Sequence, residues 1–136
     1  MRPTAQELVS RIRQAIDETI LPKVEDKIAA SSLRSARVLL DHLAARLEHE
    51  PAFLAADNAD ARAVLAKAIA SMSAAEANPI RAAIDAAAGR DPAKANDDLQ
   101  RGVERALAAI RRAPSPQAHA ELRAYLARRL ERERPM

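Results

Sequence analysis

TAQELVSRIRQAIDETILPKVEDKIAASSLRSARVLLDHLAARLEHE, residues 4–50, is the stretch whose reading decides the fold. Thr4-x-x-Glu7 has the form of a capping box, in which hydroxyl and carboxylate each bond the other residue's backbone N–H. Behind it Leu8, Val9, Ile12, Ile16 and Ile20 recur at the helical period, with Gln6, Arg13, Gln14 and Asp17 on the other side. Pro22 has no N–H and disfavours a helical Leu21, so the first helix is expected over about residues 4–21. Pro22 equally suits the first turn of a second helix, over about 23–49. That helix carries Leu33, Leu40 and Leu47 seven residues apart, with Ala36 and Leu43 between them and Val24 and Ile28 extending the stripe backward. A coiled coil needs about three to four heptads. The shorter stripe here predicts packed core, in a hairpin against which the rest of the chain is laid.

Working outward, Glu50-Pro51 is expected to end the second helix, and residues 52–60 to form a connection rich in the cap-type residues Asp57, Asn58 and Asp60. A further helix carries Val64, Leu65, Ile69 and Met72 on one face. Ser73-x-x-Glu76 and Asn78-Pro79 are competing start signals for a short helix to Ala88, stopped by Gly89. The alanine run over 74–90 can pack tightly or stay loosely ordered. Asp91-Pro92 opens the next helix, with Leu99, Val103, Ala106, Leu107 and Ile110 as its face. Gly102 inside it costs up to about 1 kcal/mol relative to alanine unless a close helix contact uses the gap. After Pro114-Ser115-Pro116 the last helix carries Leu122, Tyr125, Leu126 and Leu130, and its arginine- and glutamate-rich end, 131–136, is expected to fray. The sum is an all-α chain: one domain over 1–136, a bundle of five to six helices built on the N-terminal hairpin.

Composition agrees with that reading and excludes several functions. Alanine dominates the apolar residues; there are two glycines, one Phe, one Tyr and no Trp. Ala and Leu are strong helix formers. The absence of cysteine removes disulfide frameworks, thiol nucleophiles and thiolate metal sites. Phosphate-cradling loops need clustered glycines, and Gly89 and Gly102 stand apart, which argues against nucleotide binding. No segment approaches the ~20 apolar residues of a membrane span, and residues 1–4 lead into a charged helix rather than an apolar leader. A cytoplasmic location without membrane attachment is the expectation. The net charge of +3 permits anionic partners without requiring them.

Arg2-Pro3-Thr4-Ala5, Glu7-Leu8, the Leu21-Pro22 corner, the Ala- and Leu-rich second helix and Leu122-Arg123-Ala124-Tyr125-Leu126-Ala127 resemble a small bacterial all-helical domain of unknown function. Members of that family are often encoded beside aminoglycoside-phosphotransferase-like kinases and acyl-CoA dehydrogenases. The likeness covers roughly the first 50 and last 40 residues; residues 51–90 fit poorly. Where the family pattern continues toward Asn-Pro, this chain has Arg132-Glu133-Arg134-Pro135. The resemblance implies an accessory role near a kinase-like enzyme and carries over no catalytic residue.

Three histidines were the first candidates for chemistry. His42 and His49 flank Arg46 on one strip of the second helix, off the leucine stripe. A metal site wants His and carboxylate at i, i+4 or converging helices, so His42, Arg46 and His49 read as a solvated polar strip. His119 lies near the line of Leu122 and Leu126 and reads as a partly buried histidine kept neutral by the helix N-terminus. No serine or carboxylate forms a nucleophile arrangement with any of them. Asp97 and Asp98 precede Arg101 and are explained by helical pairing, and Glu25-Asp26 by the helix dipole. Arg111, Arg112, Arg128 and Arg129 form the electropositive clusters and are the candidate contacts for an anion or a partner. Nucleic acid would want a phosphate-contacting stripe, with aromatics for single strands, and Tyr125 stands alone. The expectation is a non-enzymatic interaction protein without cofactor or metal, with a protein partner or a second copy. The alternatives are a weak nucleic-acid-binding module using those arginines and a small-ligand pocket in the bundle core.

Overall fold

The capping box forms as expected. The Glu7 N–H donates to Thr4 Oγ1 at 3.1 Å and the Thr4 N–H to Glu7 Oε2 at 2.7 Å, opening α1 (Ala5–Ala15). In the computed structural model, which describes residues 2–136, the chain is all-α. Five α-helices follow in order, α1, α2 (Lys27–Ile69), α3 (Ala74–Ala87), α4 (Pro92–Arg112) and α5 (Pro116–Glu133), with no strand among the described residues. A π-turn over Ile16–Ile20 and a 3-10 turn over Leu21–Lys23 carry the chain around the proline corner. Asp26 then caps α2 by accepting the Ala29 N–H at 2.8 Å, which gives the Glu25-Asp26 pair its structural role.

The expected boundary of the second helix is overturned. The second helix does not end at Glu50-Pro51. It continues through the proline to Ile69 and absorbs the whole connection expected over 52–60. An interior proline loses a backbone bond and crowds the carbonyl four residues earlier, at a cost of about 3 kcal/mol. The turns just beyond it offset that cost, because Phe53, Asp57, Asn58 and Ala61 are all buried. Pro51 is still a boundary. The chain divides there into two compact units, one ending at Glu50 and also taking in Pro135 and Met136, the other running from Pro51 to Arg134.

In the first unit Arg37 bonds Asp17 at 2.8 Å and also Asp41, while Arg13 reaches Asp41 at 2.7 Å. Partners that rise along α1 fall along α2, so the two helices run antiparallel as a hairpin. Its interior is thin. Among its described residues only Val9, Ile16 and Ala30 are buried. Leu33, Ala36, Leu40 and Leu47 are half-buried and Leu43 is exposed, so the stripe expected to be packed core is only partly covered. Two helices side by side shield one narrow line of each other, and the apolar sector here is wider than that line.

The second unit has a continuous core. Ala61, Val64 and Leu65 of α2, Ile80 and Ala87 of α3, Leu99, Val103, Ala106 and Ile110 of α4, and Ala118, Leu122 and Tyr125 of α5 pack together. α3 is an ordered helix. Ser73 accepts the Glu76 N–H at 3.4 Å as its cap, so the start lies there and Pro79 falls inside the helix. Ala77, Ile80, Ala83 and Ala87, spaced three and four apart, are its buried line, and Gly89 at φ +72° ends it. Gly102 uses its missing side chain: a Cβ there would stand 2.9 Å from Leu65 Cδ1 and 3.3 Å from Ala83 Cβ. The arginine-rich end of α5 does not fray at residue 131. It stays helical through Glu133, held by bonds described next.

Candidate functional site

Asp57 is the most unusual residue of the second unit. It sits on the line of Phe53, Ala61 and Val64, four residues before or after each neighbour or seven from it, and is fully buried at 0 % exposure. A carboxylate in such a place must be met by donors. Asp57 Oδ2 accepts from Arg129 Nη1 at 2.6 Å and from Asn96 Nδ2 at 2.8 Å. Asp57 Oδ1 accepts from Arg132 Nη2 at 3.0 Å. The Tyr125 hydroxyl donates at 3.1 Å to either oxygen, and accepts from Gln100 Nε2 at 2.7 Å. Burial pushes that hydroxyl's pKa up from its ordinary value. Asn96 also bonds Asn58, whose amide reaches the Pro92 carbonyl, tying the start of α4 to α2.

One turn on, Asp60 is gripped by Nη2 and Nε of Arg128, at 2.8 and 2.9 Å, and by Arg132 at 2.8 Å. Arg128, and then Arg132, hold its carboxyl down to about 2 against the opposing effect of partial burial. Arg129 also pairs with Glu133 at 3.1 Å and lies 5.4 Å from the centre of the Phe53 ring. Three guanidinium groups thus meet three carboxylates, and no net charge is left over. Arg128 and Arg129, expected as free contacts for an anion, are instead internal partners of Asp60 and Asp57. Sequence reading missed Asp57 and Asp60 because it took them for caps. The signal was present all the same, as a charge placed in the middle of an apolar helical line, which calls for a buried counter-charge.

The pair at Asp60 makes an acid-stability prediction. A carboxyl held near 2 when folded and near 3.9 when unfolded contributes stability that is complete above pH ~4 and is lost as pH falls through 2. Asp60→Asn is expected to lower stability at pH 7 by about 1 kcal/mol, the scale of a well-formed, partly exposed ion pair. The difference from wild type should shrink steadily between pH 5 and pH 2 in urea titrations followed by circular dichroism. A difference that stays constant over that range would contradict the assignment.

The other candidates are not brought together. Arg111 and Arg112 are exposed on the last turn of α4. His119 is exposed rather than partly buried, beside a hollow of ≈ 430 Å³ formed with Ile110, Arg111 and Pro114–Pro116. It stands at the exposed start of α5, one residue after the buried Ala118 and three before the buried Leu122. His42 is exposed, Arg46 bonds Glu50 at 3.1 Å, and His49 lies 3.8 Å from Glu48. Asp98 is buried and takes Arg101 at 3.0 Å, the pairing expected for it, and also Arg90 at 2.7 Å. A groove of ≈ 550 Å³ between the end of α2 and the start of α5 is lined by Lys67, Ala70, Ser71, Gln117, Ala118 and Glu121. It holds one cation, one carboxylate and no histidine. Among the described residues no three His, Asp or Glu side chains converge as metal ligands, and no helix is long and apolar enough to cross a membrane.

The first unit leaves several large apolar side chains exposed. Leu8 and Ile12 on α1 are 47 % and 49 % exposed, and Leu39 and Leu43 on α2 are 69 % and 44 % exposed. The ion pairs fix where these lie. Arg13 opposite Asp41 and Asp17 opposite Arg37 set a register in which Leu8 and Ile12 run alongside residues 42–46. In each helix the buried line is flanked on one side by the ion-paired residues and on the other by these large apolar ones. For antiparallel helices those apolar flanks fall on the same side of the hairpin. Within the first unit, the hairpin therefore has one seam closed by charges and one flank of exposed large apolar side chains. Scattered exposed leucines are ordinary, but a contiguous patch of them marks an interaction surface. No protein-family model, no curated protein and no solved structure matches this chain.

Proposed function

We propose that this protein is a non-enzymatic interaction protein acting through its helix surfaces, and that its working surface is the apolar flank of the N-terminal hairpin. The observation that carries the reading is the coexistence of Leu8, Ile12, Leu39 and Leu43, all large and exposed, on one side of a hairpin with three buried residues. Such a unit gains most of its burial from something outside it. The internal pairing of Arg128 and Arg129 weighs against the nucleic-acid reading, since two of the four arginines it needs are engaged by Asp60 and Asp57. The N-terminal resemblance makes a phosphotransferase-like kinase one candidate partner; it bears on the partner's identity and not on the surface.

A photo-cross-linking amino acid placed at Leu39 in the full chain tests this inside cells. A discrete adduct is expected on irradiation at that site, with none when the same group replaces Val38. Val38 is also exposed, at 53 %, but lies about 100° around the helix from Leu39. A folded protein that reacts only with water at Leu39 overturns the reading.

A further inference from the structure

We infer that the apolar flank of the hairpin is covered by a second copy of the same hairpin, so that two chains complete a four-helix bundle. The inference rests on the interaction reading above and names its partner.

Four observations favour a second copy. The hairpin is half of a standard architecture: two antiparallel helices with a partial core become a closed bundle when a two-fold axis brings an identical pair onto the open flank. The flank is chemically self-complementary. Leu8 and Ile12 on one helix and Leu39 and Leu43 on the other are all aliphatic, with the small Ser32 and Ala36 beside them to admit close helix approach.

Charge adds a third argument. Residues 1–50 contain eight Lys and Arg and eight Asp and Glu, so two copies meet without like-charge repulsion. Arg13, Arg37, Asp17 and Asp41 are paired within the hairpin and Arg46 with Glu50, so these charges are already met within one copy. The fourth is area. The exposed parts of Leu8, Ile12, Leu39 and Leu43, with Ile28 at the turn end of the same flank (79 % exposed), amount to on the order of 500 Å² per copy. Two copies then reach the roughly 1,000 Å² that a specific interface needs.

Sedimentation of the purified full chain reads this directly. At ~50 µM a species of twice the 14.7 kDa chain mass is expected. Leu39→Glu is expected to weaken the association by about 100-fold, because it places a bare carboxylate in an apolar contact, while Val38→Glu leaves it unchanged. A second measurement stands if Leu39→Glu fails to fold. The chain has no cysteine, so Leu39→Cys carries a single thiol whose alkylation should slow as the protein is concentrated into the dimer, whereas that of Val38→Cys should not. A monomer throughout, or a dimer indifferent to Leu39→Glu with equal alkylation of both thiols, overturns the inference. Failure of the broader reading looks different: a monomer in solution that still gives an adduct of another mass at Leu39 in cells refutes the second copy alone.

Discussion

Replacing Asp57 with alanine is expected to lower the stability of the second unit by about 3–5 kcal/mol, the range for removing one partner of a buried ion pair. The size follows from what is left behind. Asp57 receives Arg129, Arg132, Asn96 and the Tyr125 hydroxyl on two oxygens that no water reaches. Its loss removes the buried acceptor of the Tyr125 hydroxyl and leaves Arg129 with Glu133, Arg132 with Asp60 and Asn96 with Asn58 alone, and each buried group left unsatisfied costs about 1–3 kcal/mol. Arg129 and Arg132 keep some contact with solvent, their side chains being 20 % and 22 % exposed, which places the result toward the lower end.

Tyr125→Phe removes one hydroxyl from the same cluster and should cost only about 1–2 kcal/mol, since the ring still fills its site. Asp57→Ala combined with Arg129→Ala should cost less than the sum of the two, because the second change removes the charge that the first one strands. Urea unfolding at constant m-value measures all three. A loss below ~1 kcal/mol for Asp57→Ala would mean that the cluster is solvated and does not hold α5 to α2.

The second large effect is at the crossing of α4 with α2 and α3. Leu65 is fully buried, and its Cδ1 lies where a side chain on residue 102 would begin. Leu65→Ala is expected to cost about 2–5 kcal/mol, through lost burial and the cavity left in the core. Gly102→Ala acts in the opposite sense, by overpacking. The added methyl meets Leu65 Cδ1 at 2.9 Å and Ala83 Cβ at 3.3 Å. The leucine can turn aside and the alanine cannot, because its Cβ is fixed to the α3 backbone. Overpacking of this kind costs about 1–3 kcal/mol, and the better helix propensity of alanine returns up to ~1 kcal/mol. A net loss of about 1 kcal/mol is expected.

The two changes should be strongly coupled. With Leu65 shortened, the methyl on residue 102 enters vacated space, so the double variant should be more stable than the sum of the singles by ~1 kcal/mol. Thermal and urea unfolding of the four proteins test the cycle. Additivity would show that Gly102 is not held by that contact.

How much of this could be read from residues alone differs between the two units. In the first, local signals were sufficient. The capping box, the proline corner and the apolar period depend on residues three to seven positions apart, and α1 and the turn lie where those spacings put them, while α2 starts at Lys27 rather than at about residue 23 because Pro22 is taken up by the turn. What they could not show is that the leucine stripe is broader than one neighbouring helix can cover. That is a property of how many helices pack, not of either helix by itself.

In the second unit the helix starts at Ser73, Asp91 and Ser115 were legible from cap residues, and the core positions from spacing. The acid–arginine cluster was not. Asp57, Asn58 and Asp60 have the local preferences of a helix start, and Glu50-Pro51 before them has those of a helix end. Their partners stand 68 to 75 residues away on α5 and about 40 away on α4. Local propensity is worth about 1 kcal/mol per residue or less for all but proline. A buried carboxylate bonded by two arginines and a tyrosine outweighs it several-fold, and so the chain stays helical through Pro51.

By itself, then, the sequence determined an all-α chain, the N-terminal hairpin, most of the caps and the absence of thiol and glycine-loop chemistry, because each of these rests on residue type or on neighbours within two turns. Only the tertiary structure decided that α2 runs on to Ile69, that Arg128 and Arg129 pair with Asp60 and Asp57, and that Leu8, Ile12, Leu39 and Leu43 stay exposed. Each of those depends on what a distant segment does or does not cover, and no local spacing encodes that.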